Sequence, residues 1–147
     1  MHVLKNIRQN SFIKICIGLV YLWFGGLKFF PELSPAEGLA TDTISQLTLG
    51  ILPANVSIIM LAALEVGIGL FFLLNIHPKK VAFVTLGHLL CTFTPLFFFN
   101  EISFNGYPIF LTLVGQYIIK NLIIVAALLS IIKEKPPAQQ KTKIIEP

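Results

Sequence analysis

Charge is scarce in this chain, and acid scarcer than base: seven Asp and Glu stand against eleven Lys and Arg in 147 residues, 12% charged in all. So little charge beside 55% hydrophobic residues and a mean hydropathy of +0.81 excludes a soluble domain of this size. Cysteine is nearly absent. Cys16 and Cys91 form no C-x-x-C pair and no metal-ligand spacing. Their different depths in separate spans argue against a disulfide, so they read as small apolar packing residues. Also missing are a Ser-His-Asp set, a phosphate loop, a zinc signature and a c-type haem motif, which leaves no catalytic residue and no metal site to nominate.

What the chain does have is long apolar sequence. Four stretches, 12–30, 56–76, 81–99 and 109–132, each reach the ~20 helical residues needed to cross a ~30 Å hydrocarbon layer. The expected fold class is all-α: a four-helix transmembrane bundle filling 1–133 as one domain, then a disordered tail over 134–147 rich in Pro, Gln and Lys. Basic residues sort to one side. Lys5, Arg8 and Lys14 precede or open the first span, Lys79 and Lys80 fill the second loop, and Lys133, Lys135, Lys141 and Lys143 follow the last. The other two loops lack Lys and Arg and carry Glu32, Glu37, Asp42 and Glu101, so the expected topology has both termini in the cytoplasm. Basic residues spread over three segments fit anionic membrane lipid as a partner better than nucleic acid. The basic, apolar start imitates a secretory signal, but it runs into Lys28-Phe29-Phe30-Pro31 without a small-x-small cleavage pattern and is expected to be retained.

Each span carries one polar line. In the first, Lys14, Gly18, Tyr21, Gly25 and Lys28 recur at steps of four and three, a single helical stripe that should face neighbouring helices. Its small residues let a second backbone approach closely in lipid. About 21 Å of helix separates the two lysines, so Lys14 is expected to snorkel to the inner interface and Lys28 to the outer one. The second span has Ala62, Glu65 and Gly69; the third has Thr85, His88, Thr92 and Pro95; the fourth has Thr112, Gln116 and Lys120. Pro95 frees one backbone carbonyl, which must find a partner or water inside the bundle.

The first loop contains Ser34-Pro35-Ala36-Glu37, a capping box that predicts a helix start. Ala36, Ala40, Ile44 and Leu47 then share a face opposite Thr41, Asp42 and Ser45, and Gly50 and Pro53 end the element. Too short and polar to span, this amphipathic helix is expected on the outer interface, over the bundle mouth. At that mouth Lys28 and Glu32 are close enough in sequence to pair, and Glu101 and Tyr107 could help close it.

Helix arithmetic puts Gln116 ~12 Å, Glu65 and Thr92 ~14 Å, Tyr21 ~16 Å, Lys120 ~18 Å and His88 ~20 Å below the outer face. Every span thus contributes to one layer. An ionisable group at mid-bilayer costs on the order of 3 kcal/mol, so Glu65 and Lys120 are expected to pair. Three uses of this layer are open. It can bind the head group of a small membrane-soluble ligand, with Gln116, Thr92, His88 and Tyr21 as supports. It can relay protons through Glu65 and His88 in a small transporter. Or it can be inert polar glue in a structural partner subunit.

Two well-separated regions carry a family resemblance. Trp23-Phe24-Gly25-Gly26-Leu27-Lys28-Phe29-Phe30-Pro31, continuing through Ser34-Pro35-Ala36-Glu37, resembles the opening of bacterial DoxX-like membrane proteins, including the YkgB-type branch of unknown function. Leu64-Glu65-Val66-Gly67-Ile68-Gly69 resembles their glutamate-centred second helix, and Thr94-Pro95-Leu96 and Gly115-Gln116-Tyr117-Ile118-Ile119-Lys120-Asn121 their third and fourth. The resemblance covers all but the two tails. It implies a four-helix, multi-pass bundle of the bacterial inner membrane; most relatives have no assigned reaction, some are associated with sulfur oxidation coupled to quinone and others with oxidant stress. The preferred expectation is an accessory protein without catalytic activity alone, whose polar layer binds a quinone-like or lipidic small molecule beside a redox partner subunit. Relatives often carry an acid where this chain has Val114, which leaves Glu65 as the clear mid-membrane acid.

Overall fold

The computed structural model describes residues 2–30, 33–34, 37–106 and 110–134, with the backbone alone over 2–10. Among the described residues the order is α1 (His2–Leu27), α2 (Glu37–Leu47), α3 (Ala54–Leu73), α4 (Pro78–Phe93), α5 (Pro95–Phe98), α6 (Asn100–Ser103), α7 (Leu113–Ile119) and α8 (Leu122–Lys133). These residues form no strand; Phe104 and Leu111 make one isolated antiparallel bridge. Ala54–Leu73, Pro78–Phe98 and Leu113–Lys133 are long and apolar enough to cross a membrane, and Ser11–Leu27 is a shorter apolar helix. The chain is a membrane protein.

Local chemistry sets the ends of these elements. Leu49 and Gly50 both take positive φ after α2, and the Gly50 N–H closes back on the Ser45 carbonyl at 2.8 Å. Between α3 and α4, Asn75 and His77 are left-handed, and Pro78 then opens α4 with the φ a first turn requires. The fourth apolar stretch begins later than its hydropathy predicts. Thr112 donates its hydroxyl to the Ile102 carbonyl at 2.5 Å and accepts the Gly115 N–H, so the helix starts at Leu113.

Two spans are interrupted. Pro95 separates α4 from α5, and the carbonyl it frees, on Cys91, is taken by the N–H and hydroxyl of Thr94. That partner is local, where the sequence reading looks to the bundle interior. Between α7 and α8 the ladder tightens: Asn121 N–H bonds Ile118 and Ile123 N–H bonds Lys120, both three residues back.

α1 lies along α3, α4 along α8, and α3 and α1 also touch α4 and α8 respectively. Ile17, Tyr21, Ile68, Phe72, Val81, Ala82, Leu89, Leu128 and Ile131 form the shared core. The α1–α3 seam is close because its glycines have no side chain. A Cβ on Gly69 would meet the Leu22 nitrogen at 2.7 Å, and one on Gly25 would meet the Glu65 Cβ at 2.8 Å.

Some expectations are corrected here. Lys14 does not snorkel: it is buried, donates to Asn75 Oδ1 at 3.2 Å, and lies 3.5 Å from Glu134 Oε2. A carboxylate arriving from the end of α8 makes burial cheaper than extension to the interface. Glu134, counted with the disordered tail, is therefore part of a packed contact, while 135–147 lie outside the described residues. So do Pro35 and Ala36 of the capping box, Glu32 and Tyr107 at the mouth, and the side chains of Lys5 and Arg8.

Candidate functional site

The seam between α1 and α3 builds the site. Gly25 lets the Glu65 backbone press against α1, and Lys28, one turn further on, then reaches the carboxylate: Nζ sits 2.5 Å from Oε2. Both side chains are 9% exposed. The other carboxylate oxygen, Oε1, lies 3.3 Å from His88 Nε2 on α4, and His88 Nδ1 lies 3.2 Å from the Tyr21 hydroxyl on α1. Tyr21 and His88 also meet ring to edge, centroids 5.7 Å apart. Four polar side chains therefore form one line, Tyr21, His88, Glu65, Lys28.

The chemistry of the line orders its protons. A carboxylate paired with a lysine only accepts, so His88 must present an N–H at Nε2. In the neutral imidazole Nδ1 is then bare and accepts the Tyr21 O–H; in the imidazolium it donates to the Tyr21 oxygen instead.

This line borders a cavity of about 530 Å³. Its wall includes Tyr21 and Phe24 from α1, Lys28 just past its end, Glu65 from α3, His88 and Thr92 from α4, and Tyr117 from α7. Leu39, Ala40, Thr43, Ile44 and Leu47 of α2 also line it, so the amphipathic helix forms part of its wall. Thr43 belongs to that inward face as well; it is buried, with its hydroxyl satisfied by the Leu39 carbonyl of its own helix at 2.6 Å. Both helix interruptions reach the wall, through Pro95 on one side and Lys120 with Asn121 on the other.

The expected pairing of Glu65 with Lys120 is not what the structure has. Equal depth does not fix helix rotation, and the close α1–α3 approach brings Lys28 to the carboxylate first. Lys120 instead lies with Nζ 3.4 Å from the centroid of the Tyr117 ring and 5.5 Å from that of Phe24. Lys28, expected at the outer interface with Glu32, is thus drawn inward. Gln116 is also misplaced by the depth argument. It is exposed, outside the cavity wall, with Nε2 bonded to the Leu111 carbonyl at 3.2 Å. Thr92 lines the cavity but gives its hydroxyl proton to the His88 carbonyl at 2.8 Å.

Sequence reasoning missed the role of Lys28, yet a signal was there. Gly25 falls on the stripe that faces α3, Ala62 and Gly69 bracket Glu65 on the opposing stripe, and Lys28 follows Gly25 by three. Phe24 and Tyr117, which pack edge to face at 5.9 Å, carried no polar signal.

Taken together, the chain is a membrane protein with an ion pair beside a partly open cavity. Compared with protein-family models, curated proteins and solved structures, it matches none.

Proposed function

We propose that this protein is a DoxX-like four-helix transmembrane bundle of the bacterial inner membrane that binds a quinone-like or lipidic small molecule in the cavity beside its Lys28–Glu65 pair. It acts as an accessory protein beside a redox partner subunit, without catalysis of its own, and keeps both termini in the cytoplasm. The observation that carries this reading is the cavity itself. About 530 Å³ of space is bordered by the line Tyr21, His88, Glu65, Lys28, while most of its wall is apolar. Small-molecule sites have this make-up, an apolar enclosure with a few convergent polar groups. Interrupted helices that meet at such a layer add support, since broken backbone at membrane depth is tolerated where it lines a cavity. The lack of Lys and Arg in the first and third loops supports the topology.

Mass spectrometry of the organic extract of protein purified in mild detergent tests the binding reading. A quinone or lipid retained at near-stoichiometric amounts by the native chain, and lost from Glu65→Gln, is expected. Equal retention by both chains would remove the reading.

The Tyr21, His88, Glu65, Lys28 line also favours one second reading, a small proton-coupled transporter in which Glu65 and His88 exchange a proton. Proton uptake into vesicles that is unchanged by Glu65→Gln would end it.

A further inference from the structure

The charges in the cavity wall do not balance. Glu65 commits one oxygen to Lys28 and the other to His88, so its charge is already matched. Lys120 is an exposed residue at the edge of the same cavity and, among the described residues, has no carboxylate in ion-pair contact. It stands about 10 Å inside the span Leu113–Lys133, where a lysine is expensive to hold without an anion. The faces of Tyr117 and Phe24 hold its ammonium in place, but a ring quadrupole offsets only part of that cost. Among the described residues, two lysines and one carboxylate therefore meet the space.

We infer that the ligand carries an acidic head group, a carboxylate or a phosphate, which pairs with Lys120, and a single apolar tail. A neutral head group would leave Lys120 as it is; an acidic one supplies the missing charge and accepts charge-assisted hydrogen bonds from the ammonium. The apolar part of the wall, Leu39, Ile44 and Leu47 on one side and Leu113, Ile123 and Ile124 on the other, suits the tail. This rests on the reading that the cavity takes a membrane-soluble ligand.

The test uses the full chain in non-ionic detergent, with binding followed by native mass spectrometry. Oleate and oleoyl lysophosphatidate are the acidic probes, separating a free acid from a lipid phosphate; oleyl alcohol and decylubiquinone are the neutral ones. The native protein should bind at least one acidic probe about tenfold more tightly than oleyl alcohol. Lys120→Gln should abolish that preference and Lys120→Arg should keep it, with helical content unchanged in both. Oleyl alcohol binding as tightly as both acids to the native chain overturns the inference whatever the variants do, as does a preference that survives Lys120→Gln. Decylubiquinone that binds the native chain without any acid preference, and is lost on filling the wall by Val114→Trp, would sink the acidic head group and leave the cavity reading standing. No binding of any probe would sink both.

Discussion

Two lysines on one stripe, Lys14 within α1 and Lys28 just past its end, have well-covered side chains and are put to different uses. Lys14 joins Asn75, at the turn after α3, to Glu134, at the end of α8. Lys28 joins Glu65 in the middle of α3, and through it His88 and Tyr21. The two lysine side chains are equally hidden at 9% exposed, but the partner of Lys14 is 19% exposed and that of Lys28 only 9%. The decisive difference is space. Lys28 and its partners border the large cavity, and none of Lys14, Asn75 or Glu134 does. The Lys14 contact, with Asn75 exposed and Glu134 part-exposed, ties helix ends together, whereas the Lys28 pair stands beside open volume. Buried charge alone therefore does not distinguish the two ends of this protein; unfilled volume beside it does.

The largest expected effect comes from leaving Lys28 without its anion. Glu65→Leu should destabilise the protein by about 3–5 kcal/mol, because it strands a buried ammonium and also removes the acceptor for His88. Chemical unfolding in micelles measures this, and adding Lys28→Met should recover most of the loss. A cost no greater than that of removing Lys14 would erase the contrast between the two ends.

Next in size is the seam that makes the Lys28 contact possible. Gly25→Leu puts side-chain atoms where the Glu65 Cβ already sits, 2.8 Å from an ideal Cβ, and should cost about 1–3 kcal/mol through overpacking. It should also reduce ligand retention, since it pushes α1 away from the carboxylate. Unaltered retention would mean that the seam does not position the site.

Lys14→Met tests the other arm. Loss of the hydrogen bond to Asn75 and the looser contact to Glu134 should cost about 1 kcal/mol and leave ligand retention unchanged. Impaired retention would make the clamp part of the site and break the comparison. The smallest effect is expected at Gln116. It is exposed and outside the cavity wall, so Gln116→Ala should change stability by less than about 0.5 kcal/mol and leave binding untouched.

Much of the architecture was legible beforehand because its signals are local. Apolar runs mark where helices cross, and the stripe Gly18, Tyr21, Gly25 marks the face of α1 that α3 covers. Glu65, His88, Thr92 and Tyr21 were singled out by rise per residue, and all four line one cavity. Rise per residue fails for Gln116, because depth along an axis carries no information about rotation around it. The partner of Glu65 was misjudged for the same reason.

By itself, then, the order of residues determined an apolar, helical membrane chain whose polar groups share one layer, since length, hydropathy and the helical repeat act within a segment. Which lysine meets Glu65, which is left to the rings of Tyr117 and Phe24, and where volume stays unfilled were decided only when four segments packed. Those outcomes depend on how closely two backbones approach and how each helix is turned about its axis. Both follow from contacts between residues far apart in the chain, above all Gly25 against Glu65.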